Sequence, residues 1–194
     1  MLIYAYISAK SLGGDIMKRS IGLWQLCGFI STSIGGTLLH FLYDLLGEAI
    51  WIAPFSGVNE STWEHMKLLF WPMLIFAAVQ NKFLSDRNAF WCIKLRGILL
   101  GLVMIPIIFY TLNGAFGKTP DWLNITIFFI SAAIAYLYET HLFNSDLIVC
   151  KYPRLAIPAL GSIALMFVIF TFMTPEIPLF EDPLTGNYGI LSAN

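Results

Sequence analysis

Residues 58–67 read Val58-Asn59-Glu60-Ser61-Thr62-Trp63-Glu64-His65-Met66-Lys67. Two carboxylates, an imidazole and an amine in so short a stretch can bind a divalent ion, move a proton or cap a helix. A second polar row, His40, Asp44 and Glu48, closes the apolar run that precedes it. At about 100° per residue, these three span about 80° of a helix and share one face. Gly47 is placed to end that helix, which leaves Glu48 in the loop and His40 with Asp44 as the tighter pair. His40, Asp44, Glu60 and His65 together offer two imidazoles and two carboxylates. That set suits zinc or another borderline divalent ion, with a water completing a catalytic site. In this reading His40, Asp44 and His65 hold the metal, and Glu60 or Glu64 deprotonates its water.

A purely architectural reading stands beside it. Ser61-Thr62-Trp63-Glu64 matches a capping box, with Ser61 as N-cap and Glu64 reaching back to the Ser61 N–H. Capping explains neither Glu60 nor His65. A histidine in the first turn feels the positive end of the helix dipole, which favours the neutral imidazole that binds metals. The spacing contains no His-Glu-x-x-His signature. A hydrogen-bond network that pins the loop is therefore the alternative to a metal or catalytic site.

These groups must be positioned by membrane helices. The 194-residue chain is 58% hydrophobic and 12% charged, with sixteen Phe, and its mean hydropathy is +0.74; a soluble domain does not tolerate such a composition. The expected fold is all-α: an integral membrane bundle of five spans at 21–46, 63–80, 95–112, 122–138 and 155–173, each near the length a bilayer requires. The runs show no ten-residue alternation, which argues against a β-barrel. Residues 1–16 read as a short N-terminal extension, in which Met1 to Ala9 is too short to span a membrane, with Met17 as a candidate start. Residues 17–174 form the membrane domain, and 175–194 a capping segment outside the cytoplasm. Lys10, Lys18, Arg19, Lys82, Arg87, Lys94, Arg96, Lys151 and Arg154 fall on one side, against Lys67 and Lys118 on the other. That bias places the N-terminus in the cytoplasm, the C-terminus outside, and the chain in the cell membrane. The net charge of -1 offers no field for nucleic acid.

Other features bear on the site. The apolar loop around Trp51, Pro54 and Phe55 reads as a re-entrant or interfacial segment that covers the polar cluster or lines an acyl pocket. Pro72 and Pro106 are expected to kink the second and third spans. Ser31 to Thr37 is a small-residue stretch that lets a neighbouring helix approach closely. Glu139 and His141 end the fourth span, roughly 25 Å below Trp122, where Glu139 reads as an interfacial carboxylate with access to water. Cys27, Cys92 and Cys150 match no zinc or disulfide framework and read as small apolar packers. Asp182, in the turn-rich tail, is a further candidate oxygen ligand.

The run from His40 through Val58-Asn-Glu-Ser-Thr-Trp-Glu-His-Met-Lys67, with Phe70-Trp71-Pro72 and the turn Asp182-Pro-x-Thr-Gly-x-Tyr-Gly189, resembles a family of small bacterial multi-pass membrane proteins of unknown function. The resemblance implies a shared fold and an outer-face motif from Met17 onward, and it brings no activity. A looser comparison is with membrane hydrolases that hold zinc by His and Asp among their helices, although the second paired-His helix of such enzymes is missing. Three functions follow as expectations. One is a metal-dependent hydrolase acting on a lipid or other amphipathic substrate. The others are a proton- or ion-coupled transporter and a non-catalytic membrane partner. The oligomeric state stays open.

Overall fold

The computed structural model describes residues 2–84, 89–117, 120–145 and 150–190, with side chains from residue 20 onward apart from 121. Five helices carry the fold: α1 (Leu2–Leu45), α2 (Thr62–Leu84), α3 (Phe90–Phe116), α4 (Asp121–Phe143) and α5 (Ala156–Phe172). The described residues contain no strand, and an isolated bridge joins Glu181 to Tyr188 in the tail. Four stretches, Ser20–Leu45, Phe90–Phe116, Trp122–Phe143 and Pro153–Phe172, are long and apolar enough to cross a membrane. Helices satisfy every interior backbone group internally, which lipid demands. The 23-residue α2 has the length but carries Glu64, Lys67 and Lys82.

At its N-terminal end α1 runs through Gly13-Gly14 as one helix of 44 residues. Two glycines weaken a helix by roughly 1 kcal/mol each without removing a hydrogen bond. Of the orientation-setting charges, Arg87 and Lys118 lie outside the described residues, as do the side chains of Lys10, Lys18 and Arg19 and residues 191–194 of the tail. At its other end α1 stops as the sequence indicates. Gly47 (φ 63°) and Glu48 (φ 59°) turn left-handed, and the Glu48 N–H returns to the Tyr43 carbonyl at 2.9 Å.

Close approach of α1 to its neighbours depends on Gly36. A Cβ there would lie 2.4 Å from the Phe128 ring and 2.9 Å from the Leu68 carbonyl oxygen. The absence of a side chain thus seats α1 against α2 and α4 one turn before His40. Gly35 packs likewise against Pro72, 3.1 Å from a built Cβ. Both Pro72 and Pro106 are accommodated inside continuous helices.

Lys67, in the second turn of α2, is fully buried. Its ammonium donates to Glu64 Oε2 at 2.5 Å, to the Ala53 carbonyl at 2.8 Å and to Thr171 Oγ1 at 3.0 Å. One cation thus ties α2, the 46–61 loop and α5 together. The loop follows: Ala53 and Ser56 are buried, Ser56 Oγ donates to the Leu39 carbonyl, and Trp71 Nε1 donates to the Pro54 carbonyl at 2.9 Å. Phe55 leans on Trp71, with ring centroids 4.9 Å apart, and Trp51 is exposed.

At the opposite end the structure revises two expectations. Glu139 has no solvent contact; it accepts from Lys94 Nζ at 2.6 Å. The ammonium also lies 5.5 Å from the Tyr136 ring centroid and 5.7 Å from that of Phe143, within cation–π range. Gly97 makes room, since a Cβ there would meet the Glu139 carboxylate oxygen at 2.4 Å. Burial wins because each partner neutralises the other. Second, Cys92 and Cys150 are joined in a disulfide, while Cys27 is free and exposed. The bond brings together residues 58 positions apart, a proximity no sequence spacing announces.

Removing one partner of a buried ion pair leaves an uncompensated charge, at about 3–5 kcal/mol. Lys67→Met is therefore expected to lower the thermal midpoint in detergent sharply, and the double variant Glu64→Leu/Lys67→Met to recover most of the loss. A double variant no more stable than the single one would show that packing around Lys67, and not charge pairing, sets the effect.

Candidate metal centre

Three helix ends and the tail converge on one site. His40 lies in the penultimate turn of α1, His65 in the first turn of α2, and Asn124 in the first turn of α4. Because α1 and α2 are antiparallel neighbours joined by a folded loop, residues 25 positions apart in sequence face each other.

The start of α2 is only half a capping box. The Glu64 N–H donates to Ser61 Oγ at 3.3 Å, as expected of the N-cap. The reciprocal bond is absent: the Ser61 N–H donates to Asn59 Oδ1 at 2.9 Å. Glu64 instead accepts the Val58 N–H at 3.0 Å and holds Lys67. Its carboxylate is committed to structure and buried, which takes it away from any water-activating role.

His65 is held by a ring nitrogen. Its Nδ1–H donates to the Ser61 carbonyl at 2.9 Å, which leaves the Nε2 lone pair facing the cluster. A backbone carbonyl on the far nitrogen is the usual support of a metal-binding histidine. His65 Nε2 lies 3.6 Å from Glu60 Oε2, and His40 Nε2 lies 3.6 Å from Glu60 Oε1. The two imidazole centroids are 5.8 Å apart. One donor atom from each of His40, Glu60 and His65 falls within 4.8 Å of the others.

These separations discriminate between ligand-sharing modes. At 3.6 Å neither pair is a hydrogen bond. A bridging water would hold its two partners about 4.5 Å apart. Two ligands each about 2.1 Å from a tetrahedral zinc ion sit about 3.4 Å apart. The two Glu60–histidine separations are nearest the last, each to a different Glu60 oxygen, while the three donors as a set lie within 4.8 Å, so one ion would draw the ligands inward.

Of the four residues grouped by sequence, the structure brings together His40, Glu60 and His65. Asp44 is exposed, one turn beyond His40, and does not join the cluster. Asp182 is spent on its own turn: Oδ1 accepts the Leu184 N–H at 2.8 Å, and Oδ2 accepts from Thr185 Oγ1 at 3.0 Å. His141 is exposed at the far end of α4. Sequence reasoning missed Asn124. It lines a cavity of about 170 Å³ with His40, Glu60, His65, Ile125 and Leu184, and its buried Oδ1 has no hydrogen-bond partner. A polar residue one turn into an apolar span was its only signal.

The tail closes one side. Phe180 is buried against Trp63, centroids 4.6 Å apart, and the Trp63 N–H donates to the Leu179 carbonyl at 3.0 Å. Gly189 has φ 66°, and a Cβ there would sit 2.3 Å from Thr174 Oγ1.

A family model described as a family of unknown function (DUF6512) matches residues 16–190, and the chain belongs to that family. No curated protein and no solved structure matches.

Gly189→Ala is expected to strain the left-handed turn and push the tail off Thr174. Limited proteolysis should then clip the chain after α5 faster than in the wild type, while the five helices keep their circular dichroism. An unchanged clipping rate would show that the tail is held elsewhere.

Proposed function

We propose that this member of the family is a membrane-embedded, metal-dependent hydrolase whose centre is His40, Glu60 and His65. The observation that carries the reading is that donor atoms of His40, Glu60 and His65 lie within 4.8 Å of one another, beside a cavity that also holds Asn124. Two histidines and a carboxylate, with a fourth position left for water, form a recognised catalytic zinc set. An ion held by His40, Glu60 and His65 would supply a water with its pKa lowered toward about 7 and would polarise a substrate carbonyl. Hydrolysis of an ester or amide there would break the bond to the leaving group, with the OH of water going to the acyl carbon and its H to the leaving group. Glu60 serves as ligand in this scheme, and Glu64 acts indirectly by fixing Lys67 and the loop.

A transport reading draws on the second polar group, Lys94 and Glu139 with the buried Gln25 and Gln80. Between it and the histidines lie the buried apolar Leu69, Ile98, Leu102, Ala132 and Ala135, with the buried hydroxyls of Thr32, Ser131 and Tyr136 among them. No described carboxylate or imidazole stands in that layer, which favours local chemistry over a through-path.

We place five spans in the membrane with the N-terminus in the cytoplasm, from the Lys and Arg bias. The Cys92–Cys150 bond then faces a reducing compartment. It is expected to be open in intact cells and to close on air oxidation after extraction, as differential thiol alkylation before and after lysis would show. A bond already closed in cells would reverse the orientation.

Purified protein dialysed against zinc is expected to retain about one ion per chain. His40→Ala, Glu60→Ala and His65→Ala should each lose it, and Asp44→Ala should keep it. Affinity should fall as pH drops, because protons compete for both imidazoles. Zinc content unaffected by all three substitutions would end the proposal.

A further inference from the structure

The metal centre has a second opening. Below the polar cavity lies a cavity of about 110 Å³ lined by Gly36, Thr37, Phe41, Leu68, Ile125 and Phe128 together with His40 and His65. The two cavities share His40, His65 and Ile125, so the imidazoles form a wall between them. Above the imidazoles sit Glu60 and Asn124; below them the lining is almost wholly hydrocarbon. At the mouth of the lower cavity Phe41 is 60% exposed and Ile125 55%, and its floor is the buried pair Leu68 and Phe128. Both α1 and α4 are membrane-length and apolar here, so this mouth faces lipid.

We propose that a membrane lipid enters sideways between α1 and α4, placing an acyl carbonyl at His40, Glu60 and His65 while most of the chain stays in the bilayer. The polar end of this arrangement rests on the metal reading above; the sideways entry rests on the cavity alone.

Size limits what enters. Liquid water takes about 30 Å³ per molecule, so the lower cavity holds a carbonyl and its first methylenes, not a whole chain. An ordered headgroup with no apolar part would leave the lower cavity unfilled, and a hydrocarbon alone would leave the Asn124 oxygen without a donor. A buried acceptor without a partner is costly. The ligand that fits both is an acyl lipid whose carbonyl and headgroup reach the polar cavity while its first methylenes fill the lower one. The opening formed by Gly36 fits this role, because the close approach it permits brings Phe128 to the cavity floor.

The test uses the full chain in phospholipid nanodiscs containing a phospholipid with a diazirine on the acyl chain a few carbons from the ester. After irradiation, adducts should concentrate on peptides containing Phe41 and Phe128. Thr37→Trp and Ile125→Trp, each filling the mouth from a different helix, should lower those adducts about tenfold, with zinc content unchanged. Retained zinc identifies a blocked variant that is still folded. Labelling spread evenly over the lipid-facing helices, or undiminished in both variants, would overturn sideways entry and leave the metal reading standing. Concentrated labelling in a protein that holds no zinc would do the reverse.

Discussion

A lysine ammonium buried at the start of a membrane-length helix must find an acceptor for each of its three protons. Desolvating such an ion costs several kcal/mol even after relaxation. Lys67 meets the requirement with one carboxylate, one loop carbonyl and one hydroxyl. Each acceptor comes from a different part of the chain. The ion therefore cannot be satisfied until the loop has folded back and α5 has docked. Thr171 can accept because its own proton goes to the Phe167 carbonyl, at 2.8 Å. The apolar loop, which by hydropathy could lie anywhere in the interface, is fixed by this demand.

The His40–Glu60–His65 cluster depends on that arrangement without touching it. Glu64 is drawn toward Lys67, and its carboxylate takes the Val58 N–H. That bond sets the turn in which Asn59 caps Ser61 and Glu60 points back toward the histidines. Adjacent acidic residues thus divide their work. Glu64 is buried and structural, while Glu60 is half-exposed and faces two imidazoles. Neutralisation separates them, since Glu64 has an ammonium at 2.5 Å and Glu60 does not. The same logic recurs at the other end, where Glu139 and Lys94 bury each other. Among the described residues, the Glu64–Lys67 and Glu139–Lys94 pairs are closed, and Glu60 is left open between two nitrogens.

The two cavities give the site its polarity. One face of the imidazole pair meets Glu60 and Asn124; the other meets Phe128 and Leu68. A polar cluster placed between a polar and a hydrocarbon compartment matches a molecule that has both. It also explains why the histidines sit near helix ends, where the chain passes from lipid to water.

The chain itself determined the helices, their approximate ends and the candidate groups. Apolar runs of bilayer length force helices, because lipid leaves the backbone no other partner. Gly47 marked the end of α1, the Ser31 to Thr37 stretch marked the close contact, and the motif around Glu60 and His65 marked the site. What the sequence could not do was tell Glu60 from Glu64, exclude Asp44, pair Cys92 with Cys150, or reveal that Lys94 and Glu139 are buried together. Nor did it single out Asn124. Those outcomes depend on which atoms lie within a few ångströms across different helices. Periodicity fixes the face of a helix but not its neighbour, its depth or its rotation. Only packing decides those, and with them which charge is closed off and which is left to act.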